Sequence, residues 1–548
     1  MPVPGGQLIN NKMMHENLLL ILGLLFALML LVMLAQKLRI AYPIFLFLAG
    51  LGIGFIPGIP VFKLDPELIF LVFLPPLLYE AAWYTSWKEF KKWKGPIALL
   101  AFGLVFLTSF VVAYAAQSFI PGFTLALGFL LGGIISPPDA VAAATVLKGL
   151  KVPRRTITIL EGESLVNDAS SLIVFRFALA AVLTGTFSMG QAAGQFFLVA
   201  GMGVVVGLAG GHIMYVVHRF LPTSSAIDAT LTVMTPYLLF LSAEHFHFSG
   251  VMAVVSGGLF MSFRSHEVFT SGSTRMTMSA VWHTLIFVLN TLVFILIGLG
   301  LPAIVGGLAE TSILHGIEYG LYISLTVIVI RLLWIYAVAH IPRWIIKEHR
   351  RAISPGWKNP LIISWAGMRG VVSLATALSI PLLMKDGRAF PQRDLIIFIT
   401  FIVILVTLVF QGLTLPYVIK LTNIGELDPV LPEHEQHMGI RLRLDTLAFE
   451  HLHGKYSPAH ENNTLITALK EKLKNDIEGF RKSLTSVEID SKNSSERKEF
   501  YKIISEIHAL QRKELFKMKN ERTFTDEAVR KAEYLLDLND MKVIDNVL

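Results

Sequence analysis

The chain has 548 residues, of which 54% are hydrophobic and 16% charged, and its mean hydropathy is +0.61. Soluble domains carry about 25% charged residues, so this balance excludes an ordinary soluble enzyme as well as collagen-like and disordered chains, and it makes a multi-span membrane protein the default. Cysteine is absent, which removes disulfide scaffolds, thiolate metal sites and cysteine nucleophiles.

The net charge of +7 is unevenly spread. Residues 421–548 hold 20 Lys/Arg and 23 Asp/Glu, whereas residues 1–420 hold 27 and 17. The expected organisation is an apolar, net-positive membrane domain over 1–420 and a charged soluble domain over 421–548.

In chain order, thirteen apolar segments read as spans: 17–36, 41–57, 66–86, 96–119, 124–147, 157–184, 190–217, 226–246, 249–263, 279–300, 318–340, 360–384 and 394–420. The first is too long for a signal-peptide core and lacks a small-residue cleavage site, so it is kept as a span. The ninth is shorter than the ~20 residues a spanning helix needs. The break before it, at His245, His247 and Gly250, reads equally as an internal kink. With the N-terminus outside, about 18 basic residues fall in loops on the cytoplasmic side (Lys37 and Arg39, Lys88 to Lys94, Lys148 to Arg155, Arg219, Arg264 and Arg275, Arg343 to Lys358). About 5 fall on the other side, namely Lys12, Lys63, Lys385, Arg388 and Arg393. That bias follows the positive-inside rule and accounts for the basic charge without nucleic acid. An odd number of spans places the tail in the cytoplasm. Helical spacing in the tail recurs over 437–453, 463–486, 496–520 and 524–541, the pattern of a small helical bundle or a dimerising appendage.

An ionisable group at mid-bilayer costs about 2.5–3.5 kcal/mol on insertion scales. Glu80, Asp139, Glu163, Asp168, Arg176, Asp228, Glu244, Arg331 and Arg369 therefore each need a reason. Asp139 lies in "GGIISPPDAVAAA". Pro137 and Pro138 lack backbone donors and disfavour helix before them, so the fifth segment should break at the carboxylate. Freed carbonyls at such depth are tolerated only where they face protein, water or an ion. The sixth segment carries "EGESLVNDASSLIVF". Ser164 and Asp168 share one face, and Glu163 and Asn167 form a second pair about 100° around the helix. Carboxylate, hydroxyl and amide oxygens suit a hard cation. Arg331 needs a buried partner, for which Glu163 is suited. Arg369, between Gly367 and Gly370, fits a second broken helix opposite the first, and broken helices in the fifth and twelfth positions point to inverted repeats around a central site. Glu80 reads as structural, Arg176 as snorkelling or locally paired, and Glu244, His245 and His247 as an interfacial cap.

"LDPELIFLVFLPPLLYEAA", "ISPPDAVAAATVLKG", "EGESLVNDASSLIVF" and "GMRGVVSLATALSIP" resemble the signatures of the monovalent cation:proton antiporters, and more closely those of the bacterial sodium/proton exchangers of the NhaP type. The resemblance covers about residues 15–420. It implies an all-α polytopic membrane protein of about 13 transmembrane helices, in two inverted repeats with two broken, crossed helices, followed by a helical cytoplasmic tail. It also implies that Asp168 alternately holds a cation and a proton and that Asn167 marks the electroneutral branch. Asp139 and Ser164 would complete the ion site, Glu163 and Arg331 would be a structural pair, and Arg369 would support the second break. Where the family usually reads Thr-Asp-Pro, this chain reads Pro138-Asp139-Ala140. The hydroxyl is absent, and Pro138 supports the break instead. A homodimer in the cell (inner) membrane is implied, exchanging Na⁺, Li⁺ or K⁺ for protons by an elevator movement, with no cofactor. Taken without the resemblance, the residues leave open a cation channel, a symporter, or a sensor whose output is the tail.

Overall fold

The computed structural model describes residues 4–57, 66–148, 150, 152–185, 189–269, 271–308, 312–345, 356–384, 386–425, 433–456 and 464–485, with separate stretches between 503 and 538. The chain divides into two compact units, Met1–Asp428 and Pro429–Leu548.

The first unit is helical, and its described helices form thirteen segments in the expected order. They are Pro4–Leu38, Tyr42–Gly54, 66–84, Trp87–Phe119, a fifth made of Leu125–Ile135 and Ala140–Leu147, Arg154–Thr184, Met189–Phe220, Ser225–His245, Gly250–Val268, Gly272–Gly306, Ile313–Ile345, a twelfth made of Lys358–Trp365 and Val371–Leu378, and Arg393–Thr422. Among the described residues, seven of them are long and apolar enough to cross a membrane unaided: the fourth, sixth, seventh, eighth, tenth, eleventh and thirteenth. The ninth is a separate helix of 19 residues. The break before it is a reversal rather than a kink: His247 takes a left-handed φ of 59°, and Ser249 caps the new helix by accepting the Met252 N–H. Such caps satisfy orphan donors at helix starts, and Ser86, Thr124 and Ser224 do the same for the fourth, fifth and eighth spans. Lys63, Lys151, Lys347, Arg350, Arg351 and Lys385, all used in the loop-charge argument, lie outside the described residues.

The spans sort into two bundles that pack chiefly within themselves. Spans four to six and eleven to thirteen form one, and spans one to three and seven to ten the other. Small residues allow close approach inside the first bundle. A Cβ on Gly128 or Gly132 would stand 2.6 Å from backbone atoms of Ala113 or Ser109 in the fourth span, the small-xxx-small contact by which membrane helices gain packing.

Among the described residues, three spans contain a π-helical turn, at Ile69–Phe73, Leu99–Leu104 and Val406–Gln411. Such turns interrupt the regular hydrogen-bond ladder, and a carbonyl freed in lipid needs another partner. Tyr237 donates to the Val72 carbonyl at 3.1 Å, Trp334 to Leu99 at 3.0 Å and Ser170 to Ala101 at 2.5 Å. The third turn presents Thr407, whose hydroxyl accepts the Arg369 backbone N–H at 3.0 Å.

In the second unit, helices Glu433–Tyr456 and Thr464–Thr485 pack together, over two of the predicted segments. Described residues 506–515 are helical, within the third. Most of 524–541 lies outside the described residues.

Candidate functional site

The two broken spans meet at their breaks. The Asp139 N–H donates to the Met368 carbonyl at 2.7 Å. Asp139 caps the second half of the fifth span, its carboxylate accepting the N–H groups of Val141 at 2.8 Å and Ala142 at 3.4 Å. Gly370, just before the second half of the twelfth span, lies against the same carboxylate with no room for a Cβ. Asp139 therefore sits where two helix N-termini converge, and their partial positive charge favours a carboxylate.

The C-terminal ends of the first halves converge on Arg369, which is buried. Its guanidinium donates to the carbonyls of Ile135 at 2.9 Å, Ser136 at 3.3 Å and Gly367. A planar fork with several donors can serve several carbonyls at once, as an ammonium cannot. The other buried arginine, Arg331, makes a bidentate pair with Glu163 at 2.6 and 2.9 Å and donates to the Ile363 carbonyl at 3.2 Å. Glu163 is fully buried and Arg331 is 1% exposed.

Asp168 differs from these three. It is 7% exposed, and among the described residues no basic side chain pairs with it. Its neighbour Asn167 donates to the Pro138 carbonyl at 3.0 Å, tying the sixth span to the first break, while the Asn167 side-chain oxygen is buried with no partner among the described residues. Asp168 and Asp139 both line a cavity of about 320 Å³ at the boundary between the bundles. Spans five, six and twelve contribute Thr145, Ser164 and Ser373; spans two, three and ten contribute Tyr42, Tyr84 and Asn290. None of the lining residues is basic, and Glu80 and Glu161 add two carboxylates to the wall.

Asp139, Ser164 and Asp168 thus share one cavity, with Asn167 behind them. Glu163, Arg331 and Arg369 stand outside its lining, holding the helices that frame it, whereas Pro138 and Gly370 form part of its wall. Glu80, read from the sequence as structural, is also one of the residues lining the cavity. Glu161, which is not among the mid-span charges picked out from the sequence, also lines the cavity. Its spacing from Ser164, Leu165 and Asp168 is the 3.6-residue period of one helix face, a signal already present in the sequence. Arg176 and Glu244 pair with one another. Asp228 pairs with His218 at 2.8 Å, between the seventh and eighth spans.

The sodium/hydrogen exchanger transmembrane family matches residues 23–421. A sodium, potassium, lithium and rubidium/H⁺ antiporter of Bacillus subtilis is 35% identical over 363 residues, covering 65% of this chain and 54% of that protein. The chain thus spans little more than half the length of that relative. The Na⁺/H⁺ antiporter ApNhaP of Aphanothece halophytica is 34% identical over 392 residues, 71% of each chain. In fold, the chain resembles the sodium proton antiporter MjNhaP1 of Methanocaldococcus jannaschii with a TM-score of 0.56 at 21% identity, over 75% of this chain and all of that one. The matched segment contains both broken spans, both buried arginines and the carboxylate cavity, and with that extent of agreement the chain belongs to the sodium/hydrogen exchanger family.

Proposed function

We propose that the protein exchanges a monovalent cation, Na⁺ first and Li⁺ or K⁺ as alternatives, for a proton at Asp168. One observation carries this reading. Every other buried charge at the crossing has a built-in partner: Asp139 the helix N-termini, Arg369 the carbonyl ends, Glu163 and Arg331 each other. Of these five groups Asp168 alone lacks one among the described residues, so its carboxylate is neutralised by whatever small cation the cavity admits. An unpaired buried charge is costly. The bundle carrying it moves only when proton or metal cation is bound. One positive charge then travels each way, which makes exchange 1:1 and electroneutral.

Asn167 supports this stoichiometry, since it adds an amide oxygen without a second titrating group. Ser164 and the Asp139 carboxylate supply further oxygens of the type hard cations take. The cavity lies between the bundles, so displacing one bundle against the other would move the site from one side to the other, an elevator form of alternating access. Its lining reaches Tyr84 and Glu161, which neighbour the basic stretches Lys88 to Lys94 and Arg154 to Arg155. By the positive-inside rule those stretches are cytoplasmic, so the arrangement is inward-facing, with the N-terminus outside, the tail in the cytoplasm and the protein in the cell membrane. A homodimer would hold one bundle fixed while the other moves.

The test is a pH-dye assay on proteoliposomes. After a proton gradient is imposed, Na⁺, K⁺ or Li⁺ is added with the membrane voltage clamped or free, and Asp168→Asn is run beside the parent. Cation-triggered dissipation that ignores voltage and disappears in Asp168→Asn is the expected result. An equal response in the variant removes Asp168 from the mechanism.

A further inference from the structure

The sixth span carries Ser164, Asp168, Leu172 and Arg176 at four-residue intervals, each about 40° around the helix from the one before. The first two line the cavity. Leu172 packs against an apolar cluster that includes Leu74, Leu78, Leu239, Val251 and Val254 from the opposite bundle. Arg176, about 12 Å beyond Asp168 along the axis, donates through Nη2 to both carboxylate oxygens of Glu244, at 3.0 and 2.8 Å. Glu244 lies at the end of the eighth span and also accepts the Gly250 N–H at 3.1 Å, which fixes its position against the start of the ninth.

The location of this pair sets it apart. Glu163–Arg331 lies within one bundle, and His218–Asp228 and Arg264–Glu267 lie within the other. Arg176–Glu244 joins the two bundles, and it does so on the far side of Asp168 from Glu161 and Tyr84, where the cavity wall ends. We propose that Arg176 and Glu244 are positioning residues that latch the bundles together on the side opposite the cavity mouth, behind an apolar plug centred on Leu172. This rests on the exchange mechanism above. A bundle that moves to expose Asp168 on the other side must part this pair and open the Leu172 contact. The latch therefore sets how often the outward-facing arrangement is visited.

The absence of cysteine gives the test a clean background. Leu172→Cys places a thiol behind the latch, and Ala144→Cys places one in the cavity lining away from the ion-binding groups. Each is combined with Arg176→Gln, and labelling by a membrane-impermeant maleimide is timed from either side of the membrane. Arg176→Gln should raise labelling of Leu172→Cys, from the side opposite the basic loops, by up to about fivefold, the upper end of what one exposed ion pair contributes. Arg176→Lys, which keeps the charge, should stay near the parent rate. Continued labelling of Ala144→Cys from the basic side shows that the fold is intact. Glu244→Gln is the second variant, since its amide oxygen still accepts the Gly250 N–H, and it should produce the same rise. Parent-like labelling of Leu172→Cys in both neutral variants overturns the latch. The readout requires no transported ion, so loss of cation-driven proton flux on its own would overturn the exchange reading and leave the labelling result standing.

Discussion

At the residue scale, the protein places its buried charges by giving each a different kind of partner. Glu163 and Arg331 neutralise one another in a fully desolvated bidentate pair. Removing one partner of such a pair strands the other, and Glu163→Gln is expected to cost about 3–5 kcal/mol of stability. The double variant Glu163→Gln/Arg331→Met should recover part of that loss, because no charge is then left alone. Thermal unfolding in detergent would measure both, and a single variant as stable as the parent would show that the pair carries no such weight. Most of this residue-scale picture was legible in the sequence, because ionisable groups are rare in apolar segments and each one calls for a partner. Glu163 and Arg331 could be matched on that ground alone. The partner of Arg369 could not, since it is a set of backbone carbonyls exposed by two separate helix breaks. The Arg176–Glu244 contact was equally hidden, because local pairing explained Arg176 well enough.

At the scale of the element, the fifth and twelfth spans differ in how openly they announce their breaks. Pro137 and Pro138 make the first unavoidable. The second depends on Gly367, Arg369 and Gly370 accommodating the first, and Gly370 is required because Asp139 occupies the space of a Cβ. The π-helical turns contain no proline of their own, and in the first two the carbonyls of Val72, Leu99 and Ala101 are satisfied from distant spans, so the sequence carries little mark of them. Ser170→Ala removes the donor that Ala101 uses and leaves a buried carbonyl unsatisfied, with an expected cost of about 1 kcal/mol. Its effect should be read against Ser118→Ala, where an exposed hydroxyl meets a carbonyl only four residues away in its own helix. Equal melting temperatures for the two variants would mean that the π turn does not depend on Ser170.

For the whole molecule, hydropathy and loop charge conveyed the number and order of spans, but not which spans pack together. The division into two bundles depends on which apolar faces meet, and a nearly uniform apolar pattern carries little of that information. Composition puts the boundary with the tail near residue 421, whereas the two compact units divide between Asp428 and Pro429. A chain ending at Asp428 holds every residue of the cavity and both breaks, and it is expected to retain cation-driven proton exchange in the dye assay; complete loss would make the tail part of the transport machinery. The second span has a consequence for the lipid around it. Tyr42–Gly54 has 13 residues, a rise of about 20 Å against a hydrocarbon core about 30 Å thick. Acyl chains beside so short a helix must compress, and the elastic penalty grows with chain length. Tyr42 from this span stands in the cavity wall, so a change in bilayer thickness that shifts the span would reach the site, and turnover is expected to be faster in membranes of shorter-chain lipids.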